Sequence, residues 1–284
     1  MYKIQNLRVK LGLQLFAKIK NDNPHLQEDI KSKKTNAKKL MNALIKEYLK
    51  LGEVSDEKRN ATAVSVYIKN DLMFIMIQAY HNLVLQEERM NKIINRMIES
   101  EPVVSYIKSI KGCDNSTAAI LLSEIDIRKA TYVSSLYMLS GLDCGPDGKA
   151  RNKTAAHLVD RIYIDKDGEE RIKKSITYNS FLHDKILGTI APNLVRAKSP
   201  GYYETYCNYK HRLDMRPDWK DRTKMHKHRA ALRYMARVFM TNLYKEWRTL
   251  AGLEVFEPYE KAKLGLDHYR RRFPIIAEND VVNL

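Results

Sequence analysis

Glycine and proline are scarce in this chain, 11 and 8 in 284 residues. That scarcity excludes a fold of many short strands and tight turns, and a mainly helical protein is expected. Cysteine is scarcer still. Cys113, Cys144 and Cys207 lie far apart and form neither a CxxC pair nor a Cys/His spacing suited to zinc. They point to reduced thiols in a cytoplasmic protein. Long apolar runs are missing too: Leu72 to Ile77 is the longest, far short of the ~20 residues a membrane span needs. The opening stretch MYKIQNLRVKLGLQLFAKIK threads charges through its apolar residues, which argues against a secretion signal. The sequence has no GxxxxGK[ST] loop and no HExxH. No apolar strand carries an aspartate in the manner of an RNase-H-like two-metal site. The residues alone therefore offer no catalytic constellation and call for no metal or cofactor.

Acidic residues are also in deficit. Lys and Arg total 50 against 34 Asp and Glu, a formal net charge of +16. A polyanion is the first partner to expect from that excess.

Residues 1–100 are expected to form a helical, coiled-coil-like region. Ile4, Leu7, Leu11, Leu15 and Ile19 keep helical spacing in a first helix that should end near Asn23-Pro24. A second helix carries Met41, Leu44, Ile45, Tyr48 and Leu49 and should stop at Gly52. In a third, Met76, Ala79, Leu83, Gln86, Met90, Ile93 and Met97 alternate steps of three and four. That seam suits a homo-oligomer through the long helix or a helical hairpin within one chain; packing inside its own domain is the plainer alternative.

Residues 101–255 are expected to form a second domain, followed by a tail over 256–284. VVSYIKSIKGCDNSTAAILLSEIDI outlines a short helix, a Gly turn and a second helix, the pattern of a helix-hairpin-helix. Gly112 would let turn amides approach a phosphate, and Ser116 or Thr117 would cap the following helix. Arg161 to Ile164 and Glu169 to Ile172 flank Asp165-Lys166-Asp167-Gly168 as a β-hairpin. Helices follow over Asn179 to Ile190, stopping before Pro192, then from Pro200 to Leu213. The last runs from Thr223 to Leu250 and buries Leu232, Met235, Phe239, Leu243 and Leu250.

Three basic clusters stand out. The first is Lys149, Arg151 and Lys153, joined by Lys173 and Lys174. Arg196, Lys198, Lys210, His211 and Arg212 make the second. The third is the last helix, where Arg229, Arg233 and Arg237 recur every four residues on one stripe. Such a stripe can track a phosphate backbone or can be a solvated face. Tyr202, Tyr203, Tyr206 and Tyr209 lie among these cations; core packing with a wet hydroxyl is the favoured role, stacking on bases the alternative. His226 and His228, two apart on a helix, face different ways and do not suit a shared metal.

The order IKGCDNSTAAILLSEIDI, SSLYMLSGLD, GPDGKARNKT, IKKSITYNSFLHDKILGTIA, YYETYCNYK, HKHRAALRYMARVFMTNLYK resembles the C-terminal domain of DEDD-type insertion-sequence transposases, relatives of the Piv-type DNA invertases. Matching positions are Ala118, Leu121, Leu122, Glu124, Ile125 and Asp126; then Gly141 and Leu142; Gly148 and Lys149; Lys174 and Asn179; and Ala236 with Arg237. The resemblance spans about residues 101–250, and the long helix before it fits the family's coiled-coil linker. It implies a DNA-binding protein of transposition or site-specific recombination. A guide-like non-coding RNA is a further implied partner.

Two departures accompany the resemblance. The family's RuvC-like N-terminal domain, which supplies four acidic metal ligands, has no counterpart before the linker, so Mg²⁺ would enter only through a RuvC-like partner subunit. Where the family carries a nucleophilic serine, this chain has Asp147. The expectation is a DNA-binding chain that does not cut alone, with Ser140 and Ser175 the nearest serines. One subunit of a split active transposase, and a coiled-coil interaction protein with an incidental basic surface, are the alternatives.

Overall fold

The computed structural model describes residues 2–22, 36–52, 71–145 and 147–257. Within them the chain is mainly helical, with one small two-stranded antiparallel sheet. It divides into two compact units, Met1–Arg96 and Met97–Leu284. No helix is long and apolar enough to cross a membrane among the described residues.

The first unit holds α1 (Tyr2–Asp22), α2 (Ala37–Gly52) and most of α3 (Asp71–Ile98). Leu15 and Ile19 of α1 meet Leu40, Met41 and Leu44 of α2 and Met73, Ile77 and Tyr80 of α3 in one core. The face that α3 buries is thus Met73, Ile77 and Tyr80, with Val84 packed at its edge. This face lies one residue, about 100° around the helix, from the Met76-to-Met97 seam. Met76 and Val84 share the margin of the core, while Ile93 and Met97 are exposed at 53% and 72%. The apolar residues of α3 form two neighbouring stripes, and intrachain packing takes one of them.

The second unit opens with α4 (Pro102–Ser109), α5 (Asn115–Glu124) and α6 (Val133–Leu139). The hairpin follows as β1 (Val159–Ile164) and β2 (Glu170–Ser175), with Ile162 opposite Ile172. Its Asp-Gly turn is as expected: Gly168 has φ +82, and the Gly168 N–H donates to Asp165 O at 3.2 Å. Next come α7 (Ser180–Lys185) and α8 (Ala191–Arg196), joined without a break by a π-type turn over Ile186–Ile190. The helix therefore does not stop before Pro192. The Ala191 N–H reaches back to Ile186 O, a widened register that carries the helix past the residue lacking an N–H. α9 (Tyr202–Met215) and α10 (Lys224–Leu250) complete the unit.

α10 is the spine of this unit. Leu232, Met235, Ala236, Phe239, Met240, Leu243 and Tyr244 are buried along it, a helical stripe wide enough to serve several neighbours. Leu250, expected in the core, is 41% exposed because the helix ends there at Ala251. Arg248 is buried, and its Nη1 donates to Ile127 O and Ala130 O while Nε donates to Glu254 O. One charged fork thus ties the loop after α5 to the chain beyond α10. The expected tail lies, beyond Glu257, outside the described residues, as does Asn23-Pro24.

Candidate nucleic-acid interface

Glu124, Gly141 and Asn179, three of the positions matched in the sequence, lie close together at the loop that follows α6. Asn179 caps α7 by accepting from the Leu182 N–H at 3.1 Å, and its side-chain amide donates to Glu124 at the end of α5, 2.6 Å away. Gly141 has φ +63, and a Cβ there would stand 2.7 Å from the Tyr178 ring. Glycine is therefore required twice over, by backbone and by space. His183 donates from Nδ1 to Ser140 O, and burial lowers its pKa.

From α10, Arg233 reaches into the same loop. Its guanidinium donates to Gly141 O at 2.5 Å and Asp143 O at 2.8 Å, and burial, the largest cause, pulls its pKa down. One turn on, the Arg237 guanidinium sits 4.6 Å over the Tyr137 ring. The Tyr137 hydroxyl in turn hydrogen-bonds Thr241. The three-arginine stripe is therefore not a continuous solvent-facing rail. Arg229 is exposed, whereas Arg233 and Arg237 are engaged inside the fold, because the stripe runs along the margin of the buried face of α10.

The loop beyond Asp143 is closed by three devices. Arg151 forks onto the Asp143 carboxylate, with Nε to Oδ2 at 3.2 Å, which commits a cation expected to face DNA. Cys144 and Ala150 pair as an isolated bridge. Asp147 accepts from the Lys149 N–H at 3.0 Å and shares a 2.8 Å hydrogen bond with His157 Nε2. Because His157 Nδ1 accepts from the Asn152 N–H, it is Nε2 that carries the proton and donates to Asp147. His157 is fully enclosed, and a Cβ on Gly145 would meet its ring at 2.4 Å. The Lys149 N–H, then His157, hold the Asp147 carboxyl below the usual carboxylate range. Asp147 thus acts as the brace of a tight loop. Sequence reasoning missed His157, since a single histidine ten residues from Asp147 leaves no periodic signal.

Ser140, the nearest preceding serine, is buried and donates to Leu136 O, so its oxygen faces its own helix. Ser175 ends β2, opposite Val159.

The turn between α4 and α5 is also occupied. The cap of α5 is Asp114, not Ser116 or Thr117: its carboxylate accepts from the Thr117 N–H at 2.9 Å and the Thr117 hydroxyl at 3.0 Å. Thr117 is buried and Ser116 exposed. Gly112 has φ +99, and a Cβ there would stand 3.0 Å from Asn193 O and Ala197. This glycine permits close packing onto α8, and a carboxylate already sits at the helix end an anion would seek.

What remains outward-facing is a set of cations. Lys149, Lys153, Lys173, Lys174 and Arg229 are exposed. Lys149 lies 3.9 Å from Asp147, and Lys174 pairs with Asp160 at 2.8 Å. Tyr202 and Tyr206 are buried in the core, and the Tyr206 hydroxyl hydrogen-bonds His228. His226 is turned elsewhere, to Thr223. Tyr209 stacks on Tyr234 at 4.1 Å with Arg212 over both rings.

No family model, no curated protein and no solved structure matches the chain.

Proposed function

We propose that the chain is a transposase-like DNA-binding protein of DNA transposition or site-specific recombination that does not cut DNA alone. One observation carries the reading. Glu124, Gly141, Asn179 and Arg237, positions of the resemblance to DEDD-type transposases scattered over more than a hundred residues, gather with Arg233 about one loop. Lys149 within that loop, Lys153 just beyond it and Lys173 on the hairpin are exposed. Cations on a rigid scaffold neutralise phosphates without reading sequence. Asp147 supports the silent half of the proposal: it cannot form the phosphoserine link of the family, and its Oδ1 already serves the loop. A cytoplasmic location and a guide-like RNA partner belong to the same reading. A RuvC-like partner subunit would bring the metal site and Mg²⁺.

Incubation of the purified chain with Mg²⁺ and duplex DNA should show salt-dependent binding, no strand cleavage and no covalent adduct. Cleavage by this chain alone would overturn the silent half; absence of binding at low salt would overturn the whole.

A second reading has its own support. Ile93 and Met97 stay exposed on α3, which suits a homo-oligomer through the long helix. Sedimentation over a range of concentrations tests it, and a monomer throughout would end it.

A further inference from the structure

The hairpin is the most exposed element of the second unit: eleven of its twelve strand residues face solvent, Ser175 alone being half-buried. A lone two-stranded ribbon is marginal in water. Cross-strand partners put their side chains on the same face, so the register sorts this ribbon into two different surfaces. Ile162, Ile164 and Ile172 share one face with Asp160, Glu170 and Lys174. The other carries Val159, Arg161, Tyr163, Arg171, Lys173 and Ser175, and holds no acid.

On that second face Arg161 stands directly opposite Lys173. Like charges so placed repel, and among the described residues neither makes an ion pair. Their neighbours differ: Arg171 is drawn to Asp165 at 2.6 Å and Lys174 to Asp160 at 2.8 Å. The ribbon thus segregates its charge, with acids at the turn and on the isoleucine face, and two unrelieved cations beside Tyr163 on the other.

We infer that this ribbon enters the major groove of duplex DNA through its Arg161–Tyr163–Lys173 face. The inference rests on the DNA-binding reading above. Two strands about 5 Å apart fit a groove about 12 Å wide and not the minor groove of about 6 Å. A-form RNA is excluded by the same geometry, since its major groove is too deep and narrow for a ribbon. Polyanion charge relieves the Arg161–Lys173 repulsion, and an arginine among base edges matches the acceptor pair of guanine. The isoleucine face is turned away from the DNA.

The test uses the full chain and three mixed-sequence 30-bp probes: plain duplex DNA, duplex carrying glucosylated 5-hydroxymethylcytosine to fill the major groove, and duplex RNA. Plain DNA should bind best, with the glucosylated and RNA probes weaker by about tenfold or more. Saturating the minor groove with netropsin should change little. Arg161→Ala with Lys173→Ala should weaken plain-DNA binding about tenfold or more and erase the preference for plain over glucosylated DNA. Ile162→Thr with Ile172→Thr should leave both unchanged, and circular dichroism checks that each variant folds. If the chain binds plain DNA but tolerates glucosylation equally, the groove inference falls while the DNA-binding reading stands. It also falls if the isoleucine variant, rather than the cationic one, loses binding, or if RNA binds best. Failure to bind any duplex would overturn both.

Discussion

Arg233→Ala separates a fold-holding arginine from a phosphate-binding one. In the structure its Nη2 donates to Gly141 O and Asp143 O. The Asp143 carbonyl also receives the Arg151 N–H at 3.3 Å, so truncation orphans chiefly the carbonyl of the buried Gly141. An unsatisfied buried carbonyl costs about 1–3 kcal/mol, and losing the packed stem adds to it. Removing a half-buried guanidinium with no carboxylate partner among the described residues returns part of that cost. The net expectation is a loss of about 2 kcal/mol in the second unit. For a unit of this size that lowers the Tm by roughly 4–8 °C in a circular-dichroism melt. Arg229→Ala, at an exposed site, should move stability by less than about 0.5 kcal/mol yet shallow the salt dependence of DNA binding by about one. The reverse pattern, with Arg233→Ala thermally silent and its salt slope shallower by one, would refute the assignment.

Three further perturbations test other parts of the structure. Gly145→Ala should loosen the Asp147–His157 brace, because the new methyl meets the buried ring, and limited proteolysis should then cut within residues 143–157; a resistant variant would contradict that packing. Asp114→Ala should cost about 1 kcal/mol of cap energy in urea unfolding, and Ser116→Ala almost nothing. His183 has a folded pKa below its unfolded value of about 6.5, so the unfolded chain takes up its proton first on acidification. Its contribution to stability is full above that value and is lost as pH falls toward the folded pKa, with a slope of at most about 1.4 kcal/mol per pH unit. Urea midpoints between pH 7.5 and 5.5 should show that decline, and His183→Asn should flatten it; an equally steep variant would exclude His183 as the source.

Much of the helical frame was readable because amphipathic spacing is a local signal. Leu15, Ile19, Leu44, Met235 and Phe239 are buried where their periodicity placed them. The hairpin was equally legible, since Asp-Gly between alternating residues specifies a turn by itself. What escaped depended on partners distant in sequence. Arg229, Arg233 and Arg237 repeat perfectly, yet only tertiary packing decides that Arg233 faces two carbonyls and Arg237 a tyrosine. Thr117 looked like a cap because a hydroxyl near a helix start resembles one, while Asp114 lies nearer the turn and carries the stronger acceptor. Pro192 looked like a stop because the rule assumes an α register, and the π-type turn removes that assumption. The two apolar stripes of α3 were indistinguishable in sequence, since only packing against α1 and α2 chooses between them.

The central proposal is that exposed cations of the second unit neutralise DNA phosphates. It is tested most directly by the salt dependence of the full chain's affinity for plain duplex DNA. With Lys149, Lys153, Arg161, Lys173 and Arg229 each releasing a counterion, log affinity should fall against log salt with a slope of about −4 to −5. A slope near zero, or no binding at 50 mM salt, would contradict it.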